Sequence, residues 1–119
     1  MGDRINFAFK DREGHAVVLY SHWGATGWQH DIAGALEHAR PRWDDSAYGT
    51  RMVISYLISD KLMDETGYGI YAVTDTSCLD SSFDQVIIID FSNKTVIDGS
   101  VAVDWDKFVI AYSAGVPTS

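Results

Sequence analysis

Residues 83–91 read FDQVIIIDF, and this stretch constrains the fold more than any other. Val86, Ile87, Ile88 and Ile89 are all β-branched, a side-chain type that loses rotamer freedom in a helix and packs well on a pleated surface. The run is the strongest strand signal in the chain, so the fold must be built on a sheet. It is also the longest aliphatic run, and it stops at Asp90. A membrane-spanning helix needs about 20 apolar residues. No basic-then-apolar segment opens the sequence either, so neither a transmembrane helix nor a signal peptide is expected.

The rest of the chain supplies partners for that strand. INFAFK (5–10) alternates apolar and polar residues, DREGH (11–15) has turn chemistry, and AVVLYSHW (16–23) reads as a second strand, which together predict a hairpin. From TGWQHDIAGALEHAR the period becomes helical: Ile32, Ala35, Leu36 and Ala39 share one face. Thr26 and Gln29 stand at capping-box spacing, and Pro41 closes the helix. A second helix is expected after RWDD, capped by Asp44 or Asp45, with Ala47, Ile54, Leu57, Ile58 and Leu62 as its apolar stripe. Asp44, Tyr48, Arg51 and Ser55 lie along another face of it. A glycine turn leads into a strand near 69–75, and SNK returns 83–91 into TVIDGS as a hairpin. The segment 104–112 suits helix or strand; the spacing of Trp105, Phe108, Val109 and Tyr112 favours a short helix. The fold class expected is α+β, a mainly antiparallel sheet of about five strands with two principal helices packed on one face.

At 119 residues, with 46% apolar content, the chain suits a single domain spanning 1–119. A lone cysteine, Cys78, rules out an intramolecular disulfide and a cysteine-rich zinc site, so a cytoplasmic setting is expected. Net charge is −8 and unevenly placed: residues 1–59 carry 6 basic and 7 acidic side chains, residues 60–119 carry 3 and 10. A surface of that sign repels phosphate backbones, which argues against direct nucleic-acid binding. It suits a basic groove on another protein.

Tests for chemistry are mostly negative. Ser21 and His22 are adjacent, but successive strand side chains point to opposite faces, so they do not form an activated pair. No Gly-x-Ser-x-Gly elbow, GxGxxG or Walker pattern occurs. His15, His22, His30 and His38 lack ligand spacing, so no metal site and no cofactor are assigned. No catalytic residue is assigned, and the balance lies against an enzyme. What remains is a polar and aromatic set from three segments: His22 and Trp23; Trp43, Asp44, Asp45, Tyr48 and Arg51; Glu65 and Tyr68. If the end of the second strand meets the N-terminus of the second helix, these residues line one cleft. Free helix amides, an arginine and stackable rings suit a nucleotide-like anion. The competing reading makes the tryptophans core residues and pairs Arg51 with Asp44 or Asp45.

LYSHWG (19–24), RWDDSAYGTRMVISYLI (42–58) and ETGYGI (65–70), in that order, resemble a family of small actinobacterial and phage proteins without an assigned reaction. The likeness covers about half of the chain, and Gly24–Ala25 departs from it where two glycines are expected. The resemblance implies a shared fold and a phage-linked setting, with the host cytoplasm as the place of action. On that basis the leading expectation is an acidic accessory protein that binds and inhibits a host factor, such as a defence or nucleic-acid-handling complex, through a basic surface. The alternative is a small-ligand protein that sequesters or turns over a nucleotide-like anion in the His, Trp, Tyr and Arg cleft.

Overall fold

In the computed structural model, which describes residues 4–22, 24–79 and 85–112, the isoleucine run lies beside the first strand and parallel to it. The strands are β1 (Ile5–Lys10), β2 (Ala16–Ser21), β3 (Tyr68–Val73), β4 (Gln85–Asp90), β5 (Thr95–Asp98) and β6 (Val101–Asp104). The helices are α1 (Trp28–His38), α2 (Ser46–Leu57) and α3 (Trp105–Tyr112), with short 3-10 turns at Arg40–Arg42 and Thr76–Cys78. The sheet runs β3-β2-β1-β4-β5-β6. It is two antiparallel three-strand meanders joined back to back, and the joint is the parallel β1–β4 pair, Ile5 opposite Gln85 through Lys10 opposite Asp90.

The α+β class holds, with corrections in detail. Among the described residues there are six strands in a mixed sheet and three helices, where about five mainly antiparallel strands and two principal helices were expected. The extra strand, β6, is four residues of VAVD directly before α3, too short to stand apart from the helical spacing that follows it. The parallel joint leaves no trace in local alternation, because period 2 is the same in either pairing.

Period 2 sorts the core. Ile5, Phe7 and Phe9 of β1, Leu19 of β2, Ile87 and Ile89 of β4 and Val96 of β5 point to the helix-covered face and are buried. Ile87 and Ile89 are fully buried, each contributing about 1.5–3 kcal/mol. Ala8, Ala16 and Val18 point to the opposite face, where Leu79 from the β3–β4 connection packs on them. β4 is therefore apolar on both faces, which is why its sequence shows a run and not an alternation.

α1 buries Ile32, Ala35 and Leu36, with Ala39 buried just past its end, as the spacing predicts, and Trp28 is buried besides. Its start differs. The N-cap is Gly27 at φ 76°, with no side-chain cap bond, so the Thr26–Gln29 capping box does not form. The Trp28 ring is anchored instead, stacked on Phe108 with centroids 5.8 Å apart, and the chain enters through a left-handed residue that glycine adopts freely. α2 is capped as expected, Asp45 Oδ1 accepting the Tyr48 N–H at 3.0 Å. Its buried face is Gly49, Val53 and Ile54; Ala47 is exposed, and the helix ends at Leu57, leaving Leu62 outside it and exposed. α3 confirms the helical reading of the tail: Trp105, Phe108 and Val109 are buried, and Trp105 Nε1 donates to the Thr95 carbonyl at 3.0 Å.

Candidate functional site

In-register rows give the sheet two ends. One end is marked by Tyr68, Ser21, Ile5 and Gln85, the other by Val73, Ala16, Lys10, Asp90 and Thr95. Five residues of extended chain separate them, roughly 17 Å. α2 starts over the second end and finishes at the first, where Tyr68 Oη donates to the Leu57 carbonyl at 3.4 Å.

That direction distributes the nine residues singled out from the sequence. Trp43, Asp44 and Asp45 lie together at the second end, on the rim of a 390 Å³ cleft shared with the β1–β2 turn and Lys94. Tyr48 is exposed on the first turn of α2, with the Arg42 guanidinium 5.1 Å from its ring centroid. Arg51 is exposed further along the helix and donates to Ser55 Oγ at 3.2 Å. His22, Tyr68 and Glu65 belong to the first end. Trp23 lies outside the described residues. The strand end thus meets the C-terminus of α2, not its N-terminus, and the set does not line one cleft.

The second end is built from charge. Asp44 reaches Lys94 Nζ at 2.9 Å, so neither it nor Asp45 pairs with Arg51. Trp43 donates its indole N–H to the Leu36 carbonyl at 2.9 Å and meets Trp105 edge-on at 5.1 Å, which holds it as a partly buried wall. Asp11, Glu13, Asp44 and Asp45 face Arg12 and Lys94 across the cleft. The excess is negative, and Asp45 already takes the Tyr48 amide, one of the helix N–H groups that would have served an anion.

A second cleft of 540 Å³ opens beside the first, between the first turns of α2 (Ala47, Thr50) and Val17, Ala72 and Val73 of strands β2 and β3. Asp11 and His15 sit at its mouth. Asp11, Glu13 and His15 bring ligand-type atoms within 4.8 Å of one another, a grouping foreshadowed only by their alternation in DREGH. Hydrogen bonds within the turn account for it: Asp11 Oδ1 accepts the Glu13 and His15 amides at 2.9 and 3.0 Å, and the turn is largely exposed.

At the first end, Tyr20 Oη and His22 Nδ1 share a hydrogen bond at 2.9 Å on the face opposite the helices. Tyr68 lies on the helix face. Burial raises its phenol above the ordinary tyrosine value, the carboxylates of Asp60 and Asp31 add to the rise, and a hydrogen bond with Ser21 opposes it. Burial likewise raises the Asp31 carboxyl, against the pull of His30. Tyr68 and Ser21 thus form a polar corner on the helix side, tied to the end of α2 through Leu57.

Sequence reasoning missed the groove beside β3. α2 covers β1 and the inner part of β2 but leaves the outer sheet bare: Val17 is 38% and Ile70 61% exposed. No helix of the described chain is long and apolar enough to cross a membrane. Comparison with protein-family models, curated proteins and solved structures finds no match for this chain.

Proposed function

We propose that this chain is a protein-binding module, a small acidic accessory protein of phage type that binds a basic surface on a host factor and inhibits it. The observation that carries this reading is where the carboxylates lie. Asp60, Asp64, Glu65, Asp75, Asp98, Asp104 and Asp106 are all exposed, against Lys61, Lys94 and Lys107 in the same half. Such a field steers a basic partner and repels nucleic acid. The nucleotide-like alternative is the less favoured reading, because Asp45 takes the Tyr48 amide at the start of α2 and the adjoining cleft is net negative. The phage setting rests on the YSHWG, RWDDxxY and ETGYGI blocks alone.

The test is affinity capture from host lysate, identification of any stoichiometric protein, and titration of the purified pair across ionic strength. The dissociation constant should rise by at least about tenfold between low and physiological salt, since surface charges are screened beyond about 8–10 Å. A complex indifferent to salt refutes electrostatic recognition. A small molecule retained in native mass spectrometry of the free protein would turn the assignment to the ligand-binding alternative.

A further inference from the structure

β3 ends the sheet, and no other described strand pairs with its outer edge. Its six residues, YGIYAV, include no charge and no proline, the usual devices that keep an edge strand from pairing. The other edge, β6, is shorter, ends in Asp104, and turns at once into α3.

The ladder shows which groups face outward. His22 N–H donates to the Gly67 carbonyl at 2.9 Å, in the same register that sets Tyr20 opposite Gly69 and Val18 opposite Tyr71. Hydrogen-bonded and non-bonded pairs alternate in an antiparallel ladder, so Gly67, Gly69, Tyr71 and Val73 bond to β2. Tyr68, Ile70 and Ala72 therefore turn their N–H and C=O groups away from the sheet, and among the described residues no further strand receives them. Their side chains share the helix-side face, where Ala72 and Val17 border the 540 Å³ cleft under Thr50 of α2. A ladder of free backbone groups thus runs alongside a groove sized for side chains.

Charge selects the occupant. Between residues 60 and 75 the chain carries Asp60, Asp64, Glu65 and Asp75 against Lys61 alone. A second copy paired two-fold about Ile70 would set Glu65 of each copy opposite Asp75 of the other, and like charges directly opposite destabilise a ladder. We propose that the β3 edge captures an extended segment of a basic partner protein as an added antiparallel strand. Alternate small apolar side chains of that segment enter the Val17–Ala72 groove, and lysine or arginine at its two ends meets Glu65 and Asp75. This inference rests on the protein-binding reading above and specifies its mode.

The probe is a synthetic nonapeptide, Ac-RKVSVTVKR-NH2, added to the intact ¹⁵N-labelled protein at low salt and followed by amide hydrogen exchange. The amides of Ile70 and Ala72 should gain at least about tenfold protection, the mark of a tenfold shift in their open population. The same peptide N-methylated at all five residues of its VSVTV centre, which leaves no central N–H on either edge and the protein untouched, should give no protection. Ile70→Pro, which removes an outward N–H and no bond to β2, should bind at least about tenfold more weakly. Binding without protection of Ile70 and Ala72, undiminished by N-methylation, overturns strand capture and leaves the acidic-surface reading standing. Equal binding of Ac-EEVSVTVEE-NH2 overturns the basic occupant and that reading with it. Protection that appears without peptide and grows with protein concentration overturns the choice of partner in favour of a second copy. Failure of the basic peptide to bind at millimolar concentration overturns strand capture, while a salt-sensitive complex with a host protein would still uphold the broader function.

Discussion

Gly49 and Gly34 are both interior helix residues at close approaches, and alanine should have opposite effects at the two. In a helix, Gly→Ala gains about 0.8–1 kcal/mol from propensity alone. At Gly49 a Cβ would lie 2.6 Å from a ring carbon of Phe91 and 2.7 Å from the Arg42 carbonyl oxygen. Phe91 is 6% exposed and wedged edge-on against Trp105 at 4.8 Å, and the other obstacle is backbone, so neither yields cheaply. Overpacking of that kind costs about 1–3 kcal/mol, leaving Gly49→Ala destabilised by up to about 2 kcal/mol. At Gly34 the Cβ would meet the Tyr56 hydroxyl at 2.5 Å, the far end of a side chain that is 43% exposed and can swing into solvent. Gly34→Ala should therefore be neutral or gain up to about 1 kcal/mol. Urea unfolding followed by circular dichroism should separate the two variants by about 1–3 kcal/mol with unchanged m-value, or roughly 4–10 °C in Tm. If Gly49→Ala is as stable as Gly34→Ala, α2 does not seat on Phe91 as described, and the position of both clefts falls with it.

Two further predictions concern buried polar groups. Asp90 is 1% exposed; it accepts the Ser92 and Asn93 amides at 2.9 and 3.2 Å, takes a bond from Asn93 Nδ2 at 3.2 Å and lies 3.7 Å from Lys10 Nζ. Asp90→Ala strands those donors and should cost about 2–4 kcal/mol, read from the urea midpoint; a loss below about 1 kcal/mol would show that water replaces the carboxylate. Tyr68 has a raised phenol, chiefly by burial, so the unfolded chain releases this proton at lower pH than the folded one. Its contribution is complete below the ordinary tyrosine value near 10 and is lost as pH rises through the folded value. Alkaline stability should consequently fall less steeply in Tyr68→Phe than in the parent; parallel pH profiles would refute the burial argument.

What the sequence made legible was what local chemistry encodes. β4 was readable because four β-branched residues cannot be mistaken for loop, and Asp45 because a carboxylate before a helix has one favoured use. The stripe on α2 was misjudged because the residue at its closest approach is Gly49, which carries no hydrophobic signal at all. The capping box failed because the helix begins one residue later than that spacing implies, with left-handed Gly27 and not Thr26 at the N-cap. The candidate cleft divided for a different reason. Residue types at His22, Trp43 and Tyr68 say what a site would contain, but which end of α2 meets which end of the sheet is set by long-range packing. The open edge of β3 was hidden too, since an edge is a property of strand order, which no single segment specifies.

The back-to-back joint of the two meanders has a kinetic meaning. The two three-strand halves become one sheet only once β1 and β4 meet, and those strands are 80 positions apart, as in Ile5 opposite Gln85. Bringing such distant segments together costs about 4 kcal/mol of loop-closure entropy before any contact repays it. The joint should therefore set the folding rate, with β1 waiting as an unfinished apolar edge while the chain emerges from the ribosome. Until residues 85–90 arrive, the second edge of the nascent sheet is the long apolar β1 and not the short β6. Slow maturation and dependence on folding helpers would then be written into the order of the strands and not into any one residue.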